Sequence, residues 1–419
     1  MKKKVIILGT GFSAYRFLKK LNKQIYQVTV VSPRNHFLFT PLLPSTTVGT
    51  IEFRSIIEQI RNQKNIKFIQ SYCTRLDTLN KAIFCVDNDT GKTFSLGYDY
   101  LVIAVGEVTN TFNIEGVKKY SFFLKELADA RKIRNKVIDC FENASLPEIT
   151  EKEKKAYLRF VVCGGGPTGI EFAAELYDFL EDDVKEKYKD LASFVEIILV
   201  EARELILASF DKKLSEYTTK IFKRQGIVLK TASQINKITD KKIFLDDGSE
   251  IDYGLLVWAV GNTATDFTRK STLPLDPKGK VYVDEFFKVL KVTPKDGYSN
   301  HYAETYSDIF AVGDCTHMIT GALPSTAQVA QQQGLFLAKY FNAKTKVPDK
   351  FKFKNLGMLA YIGGHKALAD TPQFKGTGFK TFILWRSAYL TKLVSLKNKI
   401  LVLFDWTKTF FFGRDVSNF

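Results

Sequence analysis

Residues 5–14 read VIILGTGFSA, and this stretch decides the fold. Its first four residues are all apolar, and such a run is typical of a parallel strand covered on both faces. The next six match the pattern G-x-G-x-x-A. A stretch of helical character follows over residues 15–21, and residues 27–31 form a second apolar strand. Strand, glycine turn, helix and strand in this order predict a dinucleotide-binding α/β unit.

Each small residue of this turn has a physical role. Gly9 permits the tight turn, Gly11 lets the backbone approach a pyrophosphate, and Ala14 allows close packing of helix on strand. The adenosine ribose is usually bound by an acid at the end of the second strand. This chain has Ser32 there, whose hydroxyl would bind a ribose more weakly.

A second unit of the same kind begins with the predicted strand 159–163. Residues 164–171 read GGGPTGIE, which contains the full G-x-G-x-x-G pattern, and a helix is predicted after them. The next strand, 195–200, ends at Glu201, whose carboxylate can bind both ribose hydroxyls and repels a 2′-phosphate. The pattern therefore favours NADH over NADPH, although the nearby Arg203 weakens that preference.

Three more strands complete the predicted organisation. Residues 100–106 and 255–261 each form a buried strand ending in Ala-x-Gly, one after each unit, and turn signals at 88–91 and 246–249 predict hairpins before them. Residues 307–314 form a strand ending in Gly-Asp, which we expect to return the chain to the first domain.

Length and composition exclude several classes of protein. The 419 residues are 45% hydrophobic with 11 prolines, which indicates a folded chain of two or three domains. No apolar run approaches the roughly 18 residues of a membrane-spanning helix. The cysteines are odd in number, widely spaced and without a Cys-x-x-Cys pair, which argues against a disulfide scaffold, a zinc site or a dithiol redox centre; they are Cys73, Cys85, Cys140, Cys163 and Cys315. The histidines (His36, His301, His317, His365) lack metal-ligand spacing, so we predict no metal site.

With these motifs the chain resembles the two-dinucleotide-binding flavoproteins, and within them the type II, non-proton-pumping NADH:quinone oxidoreductases, especially the mitochondrial-type members. The motifs that carry the resemblance are residues 9–14, 35–44 (NHFLFTPLLP), 164–171, 311–314 (AVGD), 327–332 (AQVAQQ), 385–390 (WRSAYL) and 412–415 (FGRD). The resemblance covers nearly the whole chain.

The resemblance implies an α/β fold of two Rossmann-like domains, with the NADH domain inserted in the FAD domain, followed by a membrane-binding C-terminal segment. We expect the FAD-binding domain at residues 1–115 and 264–343, the NADH-binding domain at 116–263, and the anchoring and dimerisation segment at 344–419.

It also implies the cofactors and their sites. Tightly bound FAD would contact Gly9, Gly11, Phe12, Ser13, Ala14, Ser32, Pro33, Arg34, Thr40, Pro41, Ala104, Gly106, Gly313, Asp314, Ala327 and Gln328. The substrate NADH would contact Gly164, Gly165, Gly166, Pro167, Thr168, Gly169, Glu171, Glu201, Ala259 and Gly261. Residues 40–44 would form a rigid loop against the flavin ring, or simply a connection.

Three side chains are candidate catalytic residues. Gln328 and Gln332 are four residues apart on a predicted helix, so their amides share one face and could hold a quinone carbonyl or the flavin edge. The alternative is a pair of capping or solvated glutamines. Glu171 could orient the nicotinamide or relay a proton, or it could merely interact favourably with the helix dipole.

The net charge of +16 is concentrated at the C-terminus. From Lys344 onward 14 Lys and Arg face four acids, an excess of ten, and aromatic residues lie between them. Cations interleaved with aromatics suit an anionic membrane surface, from which a quinone must be reached. The same tail leaves open a nucleic-acid-binding flavoprotein like the apoptosis-inducing factors, although it lacks a recognisable nucleic-acid fold and we expect no nucleic acid.

The expected reaction is a ping-pong oxidation of NADH with two-electron reduction of ubiquinone or menaquinone, without proton pumping. An alternative enzyme is a sulfide:quinone reductase, which needs cysteines near the flavin. The expected location is peripheral, on the mitochondrial inner membrane or the cytoplasmic face of a bacterial inner membrane. We see no targeting peptide before the first strand, and the family implies a homodimer.

Overall fold

A computed structural model describes residues 2–87, 89–294, 304–344 and 348–417. Asn88, in the first predicted hairpin turn, and His301 lie outside these ranges, as does Lys346 of the basic tail. The strands are β1 Lys3–Leu8, β2 Tyr26–Ser32, β3 His36–Leu38, β4 Ile57–Gln59, β5 Ile66–Gln70, β6 Tyr72–Asp77, β7 Ala82–Val86, β8 Thr93–Gly97, β9 Tyr100–Ile103, β10 Glu107–Thr109, β11 Phe122–Phe123, β12 Arg159–Cys163, β13 Glu196–Val200, β14 Val228–Lys230, β15 Ile235–Ile238, β16 Lys242–Leu245, β17 Glu250–Asp252, β18 Leu255–Trp258, β19 Asn262–Ala264, β20 Val281–Val283, β21 Lys288–Leu290, β22 Thr305–Ala311, β23 Thr316–Met318, β24 Met358–Tyr361, β25 Ala367–Asp370 and β26 Lys375–Gly378.

The α-helices are α1 Phe12–Lys20, α2 Leu43–Thr46, α3 Val117–Tyr120, α4 Leu127–Ala144, α5 Glu151–Tyr157, α6 Pro167–Phe179, α7 Lys185–Lys187, α8 Lys212–Arg224, α9 Asp266–Lys270, α10 Ala327–Asn342, α11 Phe379–Lys392 and α12 Leu396–Phe412. Short 3-10 helices cover Thr40–Leu42, Phe53–Ile56, Ile60–Asn62 and Lys189–Phe194, and one π-helical turn, Leu180–Val184, follows α6.

The chain divides into two compact units. Unit 1 comprises Met1–Leu38, Glu58–Val108 and Asn262–Lys354, and unit 2 comprises Phe39–Ile57, Thr109–Gly261 and Asn355–Phe419. Each unit contains one of the two glycine-rich turns found in the sequence.

Unit 1 is built on a sheet whose described strands run in the order β23-β20-β21-β22-β9-β1-β2-β5. Strand β1 pairs in parallel with β2 and β9, and β22 joins β9 in parallel with Ile309 opposite Leu101. The continuous apolar run of β1 is buried, with Val5 and Ile7 fully inaccessible. The predicted return of the 307–314 strand to the first domain is therefore confirmed.

The second sheet of unit 1 is the antiparallel meander β6-β7-β8. It places Cys73 of β6 directly opposite Cys85 of β7. The sequence described the five cysteines only as widely spaced, and it did not reveal that these two are neighbours. Eleven residues with a turn among them separate the two cysteines, and the strand register that brings them opposite each other cannot be read from their spacing.

Unit 2 is built on the parallel sheet β11-β18-β12-β13-β14. Its apolar core packs this sheet against the antiparallel sheet β15-β16-β17, with Trp258 and Ile243 buried among the shared side chains. The hairpin predicted around residues 246–249 is the β16-β17 pair. Helix α6 runs directly from the glycine turn after β12, as the pattern predicts.

The C-terminal part of unit 2 adds the antiparallel sheet β24-β25-β26 and helices α11 and α12. Asp405 of α12 accepts the hydroxyl of Ser55 at 2.5 Å and the backbone N–H of Glu52 at 3.0 Å, so α12 is tied to residues 52–55. Among the described residues, no helix combines the length and apolar character that crossing a bilayer requires.

Residues 40–44 form a helical segment where the sequence predicted a loop. A 3-10 turn covers Thr40–Leu42 and α2 begins at Leu43, with Pro41 and Pro44 at early positions of the two helices. Proline is suited to a first turn, because its fixed φ is helical and its missing N–H would have no partner there. The two prolines thus start helices rather than stiffen a loop.

Candidate dinucleotide sites and a row of buried carboxylates

The first glycine turn lies at the carboxyl end of β1. Gly9 donates its N–H to Val31 at 2.8 Å and has φ of +107°. A Cβ on Gly9 would lie 2.3 Å from the carbonyl oxygen of Ala104. The N–H of Ala104 donates to the carbonyl of Leu8 at 2.9 Å. Only glycine allows the end of β9 to approach the turn this closely. Packing within the protein is therefore enough to explain a glycine at position 9, without any bound ligand.

The turn is fitted to an anionic ligand. Gly11 caps α1 without a side chain, and a Cβ added there would meet open space. The first turn of α1, from Phe12 to Ala14, has no acidic residue, and its backbone N–H groups and dipole favour a phosphate. These residues therefore fit the pyrophosphate of FAD.

The second strand ends in a hydroxyl cluster. Ser32 is buried, and its Oγ lies 3.3 Å from Thr10 Oγ1 and accepts the N–H of Arg34 at 3.2 Å. Arg34 also donates through Nε to the carbonyl of His36 at 3.1 Å. The hydroxyl and guanidinium are held at the sheet edge where an adenosine ribose binds in such folds, while Pro33 between them is exposed.

The loop after β22 is held by a glutamine that the sequence interpretation missed. Gly313 donates its N–H to Oε1 of Gln333 at 2.6 Å, and Ser13 donates to Val312 at 3.3 Å. Gln333 is buried on the face of α10 that also buries Val329 and Leu337. The sequence signal for this role was the four-residue spacing of Gln333 from Val329 and Leu337, which places it on the buried face of the helix. A buried glutamine needs a hydrogen-bond partner inside the protein.

The remaining predicted FAD residues divide between the units. Ala104, Gly106, Gly313, Asp314, Ala327 and Gln328 lie in unit 1 with the glycine turn, whereas Thr40 and Pro41 lie in unit 2.

The two candidate quinone-binding glutamines differ in their surroundings. The side-chain amide of Gln332 is held by one backbone residue: it donates to the carbonyl of Lys354 at 2.9 Å and accepts the N–H of the same residue at 3.0 Å. Gln328, one turn earlier on α10, is half-buried. Gln332 therefore fixes the chain after α10.

The second glycine turn repeats the first in unit 2. Gly164 donates to Val200 at 2.8 Å and has φ of +118°, and a Cβ there would lie 2.8 Å from the carbonyl oxygen of Ala259. Gly166 caps α6, with open space where its Cβ would be, and Pro167 is the first helical residue. Thr168 beside it is exposed, while Gly169 is buried against the turn. This turn also fits a pyrophosphate.

Glu201 at the end of β13 reaches back to the turn. One carboxylate oxygen accepts the N–H of Gly165 at 2.6 Å and the other accepts the N–H of Arg203 at 2.9 Å. The carboxylate is half-buried, whereas Arg203 is exposed. Gly261, the last predicted NADH residue, follows β18 in the same unit with φ of +69°.

Helix α6 carries a row of buried carboxylates. Glu171, Glu175 and Asp178 lie on one face at a spacing of four and three residues, and all are at most 6% exposed. Glu175 accepts the hydroxyls of Ser45 at 2.6 Å and Thr50 at 2.7 Å. The sequence interpretation identified only Glu171, although three acids at helical spacing within an apolar helix were a visible signal.

Burial raises the pKa of Glu171 to about 8. The backbone N–H of Tyr361 donates to its carboxylate at 3.2 Å, and this hydrogen bond lowers the pKa by a smaller amount. Burial likewise raises the pKa of Asp178 to about 6. Asp178 accepts the hydroxyl of Tyr361 and the N–H of Gly364 at 2.8 Å. The raised pKa of Glu171 favours its protonated, neutral form near pH 7, which can hold a proton inside unit 2.

Arg414 closes the far end of this row. Its side chain is 9% exposed and donates to Asp183 at 2.7 Å, to Asp182 at 3.3 Å and to the hydroxyl of Thr50 at 2.9 Å. Since Thr50 in turn donates to Glu175, the guanidinium is linked to the row through hydrogen bonds.

The cysteines beside the nucleotide motifs are buried. Cys163 is 7% exposed and Cys315 1%, and burial raises the pKa of both thiols, that of Cys315 to about 12. Neither is suited to act as a thiolate, which removes the main support for a sulfide-oxidising enzyme.

The chain matches two known families. Residues 3–334 match the pyridine nucleotide-disulphide oxidoreductase family, and residues 355–415 match the NDH2 C-terminal domain. A probable NADH dehydrogenase of Dictyostelium discoideum is 44% identical over 99% of this chain and 91% of its own length. The external NADH-ubiquinone oxidoreductase 2, mitochondrial, of Saccharomyces cerevisiae is 39% identical over 99% of this chain and 82% of its own length.

Solved structures agree with these matches. NDH2 from Plasmodium falciparum in complex with NADH superimposes with a TM-score of 0.93 at 31% identity, over all of both chains. The sulfide:quinone oxidoreductase of Aquifex aeolicus has a TM-score of 0.69 at 18% identity, which shows a shared fold alone. With one glycine turn in each unit and the NDH2 C-terminal domain after them, the chain belongs to the pyridine nucleotide-disulphide oxidoreductase family and, within it, to the type II NADH dehydrogenases of mitochondrial type.

Proposed function

We propose that this protein is a non-proton-pumping NADH:quinone oxidoreductase that uses FAD. The observation that carries the proposal is the pair of glycine turns, one at the carboxyl end of a parallel strand in each unit, because two dinucleotide sites suit a flavin and a nicotinamide. Bound FAD would supply a two-electron carrier between nicotinamide and quinone.

Unit 1 is the proposed FAD site. Gly9, Gly11 and the start of α1 bind the pyrophosphate, Ser32 and Arg34 face the adenosine ribose, and Gly313 with Asp314 faces the ribityl chain. Gln333 holds Gly313 in place. Thr40 and Pro41 stay predicted FAD contacts that rest on the resemblance. The corresponding domain boundaries remain residues 1–115 and 264–343 for FAD, 116–263 for NADH and 344–419 for the anchoring segment.

Unit 2 is the proposed NADH site. Residues 164–169 bind the pyrophosphate, Ala259 and Gly261 line the same edge, and Glu201 binds the adenosine ribose. The bonds from Gly165 and Arg203 orient the Glu201 carboxylate, and each oxygen keeps capacity to accept a ribose hydroxyl. A 2′-phosphate would face a negative charge, so NADH is the preferred substrate.

Quinone reduction consumes two protons as well as two electrons. Glu171, neutral at pH 7, is the proposed proton donor of unit 2. Gln328 and Gln332 are proposed to face the quinone carbonyl or the flavin edge from unit 1. Both amide atoms of Gln332 bond to Lys354, so we expect Gln332 to act mainly by positioning this surface.

The C-terminal helices are the proposed membrane surface. Ten large apolar side chains of α11 and α12 are exposed, and Phe410, Phe411 and Phe412 are 76%, 70% and 84% exposed. The lysines Lys380, Lys392, Lys397 and Lys408 on the same helices are exposed too. Exposed apolar side chains bordered by lysines suit peripheral attachment to an anionic bilayer, where a quinone is dissolved. The mitochondrial inner membrane is the proposed location, and homodimerisation through residues 344–419 is part of the same proposal.

An anaerobic titration tests the reaction. The purified yellow protein is mixed with NADH, and absorbance of the flavin is followed until it bleaches; a quinone analogue is then added. We expect bleaching with NADH and recovery with quinone. Absence of bleaching in protein with a full complement of FAD would remove the proposal. A Gln328→Ala variant should slow the recovery more than the bleaching, and a Gln331→Ala variant on the same helix is the control.

A further inference from the structure

Two thiols meet on the outer meander of unit 1. Strands β6 and β7 are antiparallel, and their register places Tyr72 opposite Val86, Cys73 opposite Cys85 and Leu76 opposite Ile83. Both cysteines are reduced in the structure. Directly opposite residues of an antiparallel pair point to the same face of the sheet. The two sulfurs therefore face each other across the strand pair.

The backbone geometry permits a bond between them. Opposite residues in antiparallel strands have Cα atoms about 4.5–5.5 Å apart, and disulfides span Cα separations of about 4.4–6.8 Å. The ladder has an irregularity immediately after Cys73, between it and Arg75. A bulge at this point lets β6 adjust locally when a bond forms.

The surroundings give the two thiols different roles. Cys85 is 1% exposed, whereas Cys73 is half-buried at the hairpin surface and donates its thiol proton toward the carbonyl of Arg75 at 3.7 Å. Interaction with Cys73 lowers the pKa of Cys85, whereas interaction with Cys85 and burial raise the pKa of Cys73. Only Cys73 of the two has a solvent-accessible side chain of any extent, so a reagent from solution reaches its sulfur first.

The hairpin also borders the first nucleotide turn. Ser71, two residues before Cys73, donates its N–H to the carbonyl of Ser32 at 3.1 Å and its hydroxyl to the carbonyl of Val86 at 2.6 Å. Val86 directly follows Cys85. The thiol pair therefore lies next to the connection that carries the ribose-side residues of unit 1, without itself being part of that site.

We propose that Cys73 and Cys85 form a reversible intramolecular disulfide, and that a peroxide is the oxidant that this pair takes. This proposal is independent of the proposed NADH:quinone chemistry, since it needs neither nucleotide.

The reaction balances in two steps. Once the Cys73 thiol has lost its proton to solvent, its sulfur attacks one oxygen of hydrogen peroxide and the O–O bond breaks. A sulfenic acid forms, and the departing hydroxide takes up a proton from solvent to give one water. The sulfur of Cys85 then attacks the Cys73 sulfur, the S–O bond breaks, and a second water leaves. Two thiols are oxidised to one disulfide and one peroxide is reduced to two waters.

The test uses the full-length, FAD-loaded protein. It is treated with hydrogen peroxide, its remaining thiols are alkylated with iodoacetamide, and the digest is analysed by mass spectrometry. We expect the peptides of Cys73 and Cys85 to be joined and to lose alkylation in equal proportion, and dithiothreitol to restore both. Cys140, Cys163 and Cys315, buried on other elements, are internal controls that should not change.

Variants separate the steps. In Cys85→Ser, dimedone should trap a sulfenic acid at Cys73 and no linked peptide should form, whereas Cys140→Ser should give the linked peptide as the wild type does. Oxidation of Cys73 to a sulfinic acid while Cys85 remains alkylatable would overturn the proposal, and so would a Cys73 disulfide between two chains on a non-reducing gel. A peroxide-treated wild type with all five thiols still alkylatable would overturn it as well.

Discussion

Oε1 of Gln333 accepts the backbone N–H of Gly313 at 2.6 Å, inside unit 1, where both groups are buried. The bond joins helix α10 to the loop after β22, which is part of the proposed FAD site. Gln332 is adjacent in sequence but lies on another side of the helix. Gln333 holds the loop at Gly313, whereas Gln332 holds the backbone of Lys354.

Replacing Gln333 with Leu keeps the side-chain size and removes the acceptor. The Gly313 N–H is then buried without a partner, which we expect to lower the free energy of unfolding by about 1–3 kcal/mol. Urea denaturation measures this loss, and flavin absorbance after gel filtration should show weaker FAD retention. Gln331→Leu on the half-buried side of α10 is the control, and equal losses in both variants would contradict the role of the bond.

Glu201→Gln should relax the choice of cofactor. The amide still accepts hydrogen bonds but no longer repels a 2′-phosphate, so the ratio of kcat/KM for NADPH to that for NADH should rise about tenfold, which corresponds to about 1.4 kcal/mol. Steady-state rates with a quinone analogue and each nucleotide measure it. Glu196→Gln at the opposite end of the same strand, where the carboxylate pairs with Arg159, should leave the ratio unchanged. An unaltered ratio in Glu201→Gln would remove the assignment.

Local pattern predicted much of the fold. The strands, both glycine turns and the return of β22 to the first sheet follow from apolar runs and turn residues a few positions apart, so they need no knowledge of distant contacts. Glu171 could be identified as a candidate residue in the same way, because it follows the second glycine turn in the sequence.

Contacts between distant segments were not predictable in this way. The hydrogen-bond donors to Glu175 are Ser45 and Thr50, which lie more than a hundred residues earlier in the chain. Cys73 and Cys85 are neighbours only because of the register between β6 and β7. Residues 40–44 were misjudged because proline is compatible with both a rigid loop and the first turn of a helix. Burial of the surrounding residues decides between the two.

Glu171 should make stability depend on pH. Its folded pKa of about 8 lies above the ordinary value of 4.5 for a glutamate, so between these pH values the folded protein binds one proton more than the unfolded chain. Its contribution is fully present below about pH 4.5 and is lost as pH rises through about 8, by up to about 1.4 kcal/mol per pH unit. Thermal unfolding of the wild type and Glu171→Gln at pH 5 and pH 8 should therefore show the variant gaining relative stability at pH 8. Glu216→Gln on the exposed face of α8 is the control, and a pH-independent difference for Glu171→Gln would contradict the raised pKa.

Arg414→Ala should loosen the C-terminal segment. It removes one partner of a buried ion pair and leaves Asp183, 6% exposed in its side chain, without its cation, which costs about 3–5 kcal/mol. Hydrogen exchange should become faster in α12 and in residues 180–184, and the urea midpoint should fall. Lys408→Ala breaks the exposed pair with Glu52 and should cost at most about 1 kcal/mol. Similar losses in the two variants would argue against a special role for Arg414.

The exposed phenylalanines at the end of α12 should decide attachment to a bilayer. Changing Phe410, Phe411 and Phe412 together to Ser removes large apolar side chains that would otherwise leave water, each contributing roughly 1.5–3 kcal/mol if fully buried. Flotation with vesicles of phosphatidylcholine and cardiolipin should therefore show at least about a tenfold lower bound fraction, with quinone analogues in solution still reduced. A matched triple variant, Leu79, Leu146 and Val292 to Ser, alters equally exposed apolar residues outside the C-terminal helices and should float like the wild type. Binding that both variants retain, and that falls only when salt is raised, would assign attachment to the lysines alone, because salt screens charges and leaves apolar burial intact.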